Sequence, residues 1–278
     1  RSPSRGLGDV YKRQSYRCFM IVFDNSRFQE QLQAITNCIK AEPLNASHRM
    51  ALANLRLLMA DYTKALQQMQ AACQIEPQWQ ASAYLAKTLI QAEHLRTAVF
   101  NGKIKPDLVL PPPAWLPTII DALAADYHAA ADMRVKALEQ AEENPGILNG
   151  NQSFEWLADG DSRLGPIFEV IIAGNYYWVP MEQVYEIQFQ PIEQPLDLLW
   201  RTIKINCHGA QIVERICHMP MRYPVKEGQI PSDQYATQWF EIPGMEDAWT
   251  GIGQRVWFTD QTTLPIEQAY SIKFSVNK

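Results

Sequence analysis

Three carboxylates, Asp159, Asp161 and Glu169, stand close together in the chain around Arg163. Acids at such spacing can bind a divalent cation or divide acid and base work between them, the chemistry of a metal-dependent hydrolase. The competing reading is a turn, Asp159-Gly160-Asp161, whose carboxylates accept main-chain N–H groups while Arg163 pairs with an acid. The turn is preferred, because neither a histidine nor a second carboxylate cluster accompanies the three. Two Cys-His dipeptides, Cys207-His208 and Cys217-His218, invite a zinc site. Adjacent residues on a strand point to opposite faces, so at most one like pair converges on each face and the site is two ligands short. Gly251-Ile252-Gly253-Gln254-Arg255 has glycines at phosphate-binding spacing. The dinucleotide fingerprint needs a strand before and a helix after. Here a strand follows, so a bulge or turn is expected, with Arg255 paired to Asp260 or another acid. No catalytic residue, metal or cofactor is therefore expected. The aromatic residues Trp156, Tyr176, Tyr177, Trp178, Trp200, Trp239, Trp249 and Trp257 are expected to be mostly core, with a minority at a binding rim.

The elements that would carry these residues come in two kinds. After Pro145-Gly146 the apolar period shifts towards two. Strands are expected over 167–173, 176–179, 184–189, 199–207, 212–217, 238–242, 255–259 and 269–276. A hairpin should turn around Ala173-Gly174-Asn175. Few helices intervene, so the sheet is expected to be mixed and largely antiparallel.

Between Ser26 and Asn144 the period is helical. Phe28, Leu32, Ile35 and Ile39 share one face, and Pro43 stops that helix. Leu52, Leu55 and Leu58 mark the next helix, and Ala65, Met69 and Ala72 the one after. Pro43 and Pro77 stand 34 residues apart, which is the tetratricopeptide period. Ala122 to Ala141 reads as a looser later copy. Gly102 to Pro117, rich in proline, reads as an extended connector. The expected organisation is α+β: a tetratricopeptide-like helical domain over 26–145 and a sheet domain over 146–278.

Composition narrows the function classes. Apolar residues make up 47% of the 278 and charged ones 20%, the mix of a chain with a sizeable core. A net charge of −5 and the lack of a Lys/Arg-rich run argue against nucleic acid as partner. No 18-residue apolar segment appears, so no membrane insertion is expected. Five scattered cysteines without a CxxC fit reduced thiols in a cytoplasmic protein. Asp9 to Gln14, DVYKRQ, reads as the translated transposon end used in sequencing libraries. Residues 1–25 are accordingly expected to be an artefactual or truncated leader, with a first repeat helix lost or degenerate over 15–23.

The blocks Trp156–Pro166 and Glu169–Pro180, then Asp197–Arg201, Pro220–Pro224, Thr237–Trp239 and Gly251–Arg255 with Asp260, together resemble the ImpE/SciE (TagJ-like) family. The resemblance runs from about Phe28 to Asp260. It departs at Gly160, where a small non-glycine residue is expected, at Gln238, where an acid is common, and in the first helix. The resemblance implies an accessory protein of the bacterial type VI secretion system, acting in the cytoplasm. It implies binding to the small subunit of the contractile sheath through that subunit's short N-terminal helix, with an effect on sheath assembly or recycling. The motif residues it marks as candidates for partner binding are Trp156, Asp159, Asp161, Arg163, Tyr177, Trp178, Trp200, Arg201, Arg222, Tyr223, Trp239 and Arg255. Whether the chain forms a homo-oligomer is left open by the sequence.

Overall fold

The structure, a computed structural model, describes residues 28–208, 215–224, 236–244 and 248–275. The expected leader, the degenerate helix over 15–23, Cys18 and the start of the strand expected over 212–217 lie outside the described residues. The chain divides into two compact units. One runs to Leu85 and the other from Ala86 onwards. The division falls inside a helix rather than at the composition change near residue 145.

The first unit holds α1 (Phe28–Ala41), α2 (Ala46–Leu58) and α3 (Tyr62–Ile75). Pro43 and Pro77 follow α1 and α3, as a residue without N–H requires. Asn45 caps α2 by accepting the Ser47 N–H at 3.0 Å. Ala46, Ala53, Ala65 and Ala72 are fully buried, so α2 and α3 approach closely where these small residues leave room. Met50, Leu55, Leu58 and Met69 fill the space around them. In α1 the expected stripe is only partly covered: Phe28 is buried, whereas Leu32, Ile35 and Ile39 are half-buried.

Helix α4 (Gln80–Phe100) begins in the first unit and ends in the second. The second unit continues with β1 (Asp107–Leu108), α5 (Leu116–Asp121) and α6 (Tyr127–Leu138). Then come β2 (Gly146–Leu148), β3 (Gln152–Phe154), β4 (Leu157–Asp159), β5 (Ile167–Ile172), β6 (Asn175–Pro180) and β7 (Val184–Phe189). They are followed by β8 (Trp200–Cys207), β9 (Arg215–Pro220), β10 (Thr237–Glu241), β11 (Trp249–Gly253), β12 (Val256–Thr259), β13 (Thr263–Pro265) and β14 (Ser271–Phe274).

Among the described residues nine strands form one sheet in the order β1-β6-β5-β9-β8-β7-β14-β2-β3. Of these nine described strands only β1 pairs in parallel, with Asp107 opposite Tyr177, so the mixed, largely antiparallel expectation holds. The proline-rich connector thus contributes an edge strand. A three-stranded sheet, β13-β12-β4, and a ribbon, β10-β11, complete the unit. The inner face of the large sheet packs Phe168, Val170, Ile187, Ile203 and Ile272 with Trp257, whose ring lies 5.3 Å from that of Phe168.

The β5–β6 hairpin forms where expected. Ala173 and Gly174 both have positive φ, +49° and +85°, the two-residue turn whose twist matches the flanking strands. One expectation needs correction. Gly251 and Gly253 are not a turn but lie in β11, paired with Trp239 and Thr237. Arg255 pairs with other acids than Asp260, as the second of the two expected alternatives has it: Asp159 and Glu169.

Candidate functional site

Two of the motif residues, Asp159 and Arg255, enter a buried charge cluster in the second unit. Helix α4 contributes Glu93 and Arg96 from its buried face, β5 contributes Glu169, β4 contributes Asp159, and the link between β11 and β12 contributes Arg255. Arg96 grips Glu169 with two parallel bonds, Nε to Oε1 at 2.6 Å and Nη2 to Oε2 at 3.0 Å. Its Nη1 reaches Glu93 at 2.8 Å, and Nη2 also donates to the Arg222 carbonyl at 2.8 Å. Arg255 donates to Asp159 Oδ2 at 2.8 Å and to Glu169 Oε2. The Tyr176 hydroxyl donates to Glu169 Oε1 and accepts the Trp178 indole N–H at 2.6 Å. The Trp200 indole N–H donates to Glu93 at 3.1 Å.

Pairing in antiparallel register explains why these side chains meet. Glu169 stands opposite Trp178 on β5 and β6, with Ile171 opposite Tyr176, so alternate residues turn their side chains to the same face. Residues Phe168 and Val170 turn to the other face and enter the apolar core. One strand thus serves an apolar layer and a charged one.

The Asp-Gly-Asp segment is a turn, as preferred. Asp159 Oδ1 accepts the Asp161 N–H at 2.9 Å, and Asp161 Oδ1 accepts the Arg163 N–H at 3.0 Å. The Arg163 side chain then closes on Asp161, at 2.9 and 2.5 Å, with its guanidinium over the Phe100 ring. Gly160 is required by its neighbours: a Cβ there would come within 2.5 Å of Trp239 and 2.6 Å of Phe258.

Burial sets the electrostatics. Removal from water pushes the Asp159 carboxyl up to about 6, although Arg255 opposes the shift. The same desolvation pushes the Arg255 guanidinium down to about 10 and raises the Tyr176 and Tyr223 phenols. Tyr223 is held at both ends of its hydroxyl, donating to the Val256 carbonyl at 3.0 Å and accepting the Val256 N–H at 3.1 Å.

The remaining motif residues fall into two groups. Arg201 is buried and donates to the carbonyls of Gln190 at 2.8 Å and Glu267 at 3.1 Å, clamping two loops. Trp178, Trp200, Tyr223, Asp159, Asp161 and Arg255 are buried as well and present no surface to a partner. Arg163, Tyr177, Arg222 and Trp239 are half-buried, and Trp156 is 40% exposed. Glu93 and Arg96 were missed by sequence reasoning. The signal was a Glu-x-x-Arg pair within the apolar stripe Leu89, Ile90, Ala92, Val99 of α4.

The arrangement is poorly suited to hydrolysis. Glu169 and Asp159 are engaged by arginines in a cluster sealed from solvent, and Asp161 is closed by Arg163. The Cys-His dipeptides do not face each other: Cys217 pairs with Ile203 and His218 with Thr202. Burial raises the Cys207 thiol to about 11, against the thiolate that a metal needs. Among the described residues no group of three or more His, Cys, Asp or Glu side chains is placed to hold a metal ion.

Comparison with known proteins follows the same residues. Residues 151–273 match the family model described as ImpE protein. The type VI secretion system accessory component TagJ of Pseudomonas aeruginosa is 28% identical over 241 residues, 84% of this chain and 83% of that protein. The crystal structure of a protein from Vibrio parahaemolyticus shares the fold with a TM-score of 0.80, over 90% of this chain and 95% of that one, at 24% identity. The resemblance to the ImpE family read from the sequence holds.

Proposed function

We propose that this ImpE/TagJ-like chain is a non-enzymatic accessory component of a bacterial type VI secretion system. In this reading it acts in the cytoplasm, binds the short N-terminal helix of the small contractile-sheath subunit, and modulates sheath assembly or recycling. The observation that carries the reading is the similarity to TagJ across 84% of the chain, a match too long to be confined to either unit. The chemistry agrees, since Arg-paired carboxylates sealed from solvent are poor tools for catalysis. Among the described residues no helix is long and apolar enough to cross a membrane.

The helical unit is read as tetratricopeptide-like, with Leu44–Pro77 as one repeat. An amphipathic helix docks by laying its apolar side into a groove between helices. Leu44 and Tyr84, 80% and 74% exposed, offer apolar surface in this unit. On the sheet unit the accessible motif residues Trp156, Arg222 and Trp239 are the competing contact candidates.

Pull-down with the small sheath subunit, with and without its first helix, tests the reading. Capture should be lost without the helix, and equal capture of both forms would sink the helix-binding mode. Leu44→Glu with Tyr84→Ala should weaken capture about tenfold or more, whereas Trp156→Ala should leave it intact. The reverse outcome would move docking to the sheet unit.

A further inference from the structure

Three carboxylates and two guanidinium groups share the sealed cluster: Glu93, Glu169 and Asp159 with Arg96 and Arg255. The neighbouring Asp161–Arg163 pair is closed on itself. A carboxylate away from water is costly unless the donors around it compensate its charge, and a proton removes that cost.

The donors around each acid decide where that proton goes. Glu169 receives Arg96, Arg255 and the Tyr176 hydroxyl across its two oxygens. Glu93 receives Arg96 on one oxygen and the Trp200 indole on the other. Asp159 receives one N–H of Arg255, whose guanidinium Glu169 shares, and one main-chain N–H. It also stands beside the Asp161 carboxylate. From the other elements, Tyr223 faces Asp159 with its hydroxyl. Arg163 bonds Asp161 rather than Asp159, and Arg134 of α6 faces Asp161 and Arg163 while donating to the Ala122 carbonyl.

We propose that Asp159 is a proton-uptake site that makes the cluster a pH-sensitive clamp, tighter in mild acid than at neutral pH. The upward shift of its carboxyl to about 6 accords with this. The sign follows from linkage. A carboxyl raised above its unfolded value adds stability that is present at low pH and fades as the pH rises through the folded value. With the proton bound, Oδ1 still accepts the Asp161 N–H.

The test is urea unfolding of the full chain at about pH 5 and about pH 7.5, with Asp159→Asn and Glu93→Gln beside the unaltered protein. Between the two pH values the folding equilibrium constant of the unaltered protein should fall about tenfold relative to Asp159→Asn. Glu93→Gln should keep that fall. Parallel behaviour of the unaltered protein and Asp159→Asn would overturn the proposal, as would loss of the fall in Glu93→Gln alone. If Asp159→Asn does not fold, infrared spectra of the unaltered protein labelled at aspartate decide the matter. A protonated-carboxyl band should be present at about pH 5 and gone at about pH 7.5. Its absence at the lower pH would equally overturn the proposal.

Discussion

The helical unit up to Leu85 and the sheet unit from Ala86 build their interiors from different chemistry. In the helical unit alanines set the distance between α2 and α3, and methionine and leucine fill what is left. The Arg56–Asp61 ion pair there sits at the surface, with about a fifth to a quarter of each side chain exposed. In the sheet unit charged side chains lie wholly inside, and Arg96, Glu169 and Arg255 depend on partners from distant parts of the chain. Shape complementarity tolerates small errors gradually. A sealed charge cluster does not, because losing one member strands the others.

Glu169→Ala should be the most damaging single substitution in either unit. It removes the shared acceptor of Arg96, Arg255 and Tyr176 and leaves two buried cations facing each other. A loss of about 3–5 kcal/mol in chemical denaturation is expected. A loss below about 1 kcal/mol would show that water enters the cluster and would remove the contrast between the units. Ala65→Met forces extra volume between α2 and α3 and should cost about 1–3 kcal/mol. That loss should appear in helical circular dichroism while the near-ultraviolet signal of the buried tryptophans persists; loss of both signals together would show that the units unfold as one. Asn45→Ala removes the α2 cap and should cost about 1 kcal/mol by thermal melting. Trp156→Ala, at an exposed position, should change stability by no more than about 0.5 kcal/mol. A larger loss would extend the packed interior to the motif's first residue.

The two units also differ in how legible they are. Leu52, Leu55, Met69 and Ala72 announce their helices because period and burial coincide within a few turns. The β5–β6 hairpin is equally plain, since its turn chemistry is local. The three-residue strands β2, β3 and β4 were not foreseen, because so few residues cannot establish a period. Strand β11 was hidden by its glycines, which suggested a turn. Gly251 lies there because the Tyr223 ring occupies the space of a side chain. The Asp159–Arg163 turn could be read from five residues. The Arg96–Glu169 pair spans 73 positions, and nothing near Glu169 names its partner. Helical spacing in α4 marks Arg96 as inward-facing and does no more than that.

Helix α4 lies outside the segment 151–273 that the family pattern recognises, yet it supplies the cation and the acid on which Glu169 and Trp200 depend. A fragment begun at residue 151 would keep Glu169 and Arg255 and lose Arg96, leaving the carboxylate to a single arginine. Such a fragment should express poorly on its own and recover when residues 86–150 are restored. The piece that can be passed intact from one protein to another is therefore longer than the piece by which relatives are detected, and a gene fusion joined at the pattern's edge would inherit the signature without the means to fold it.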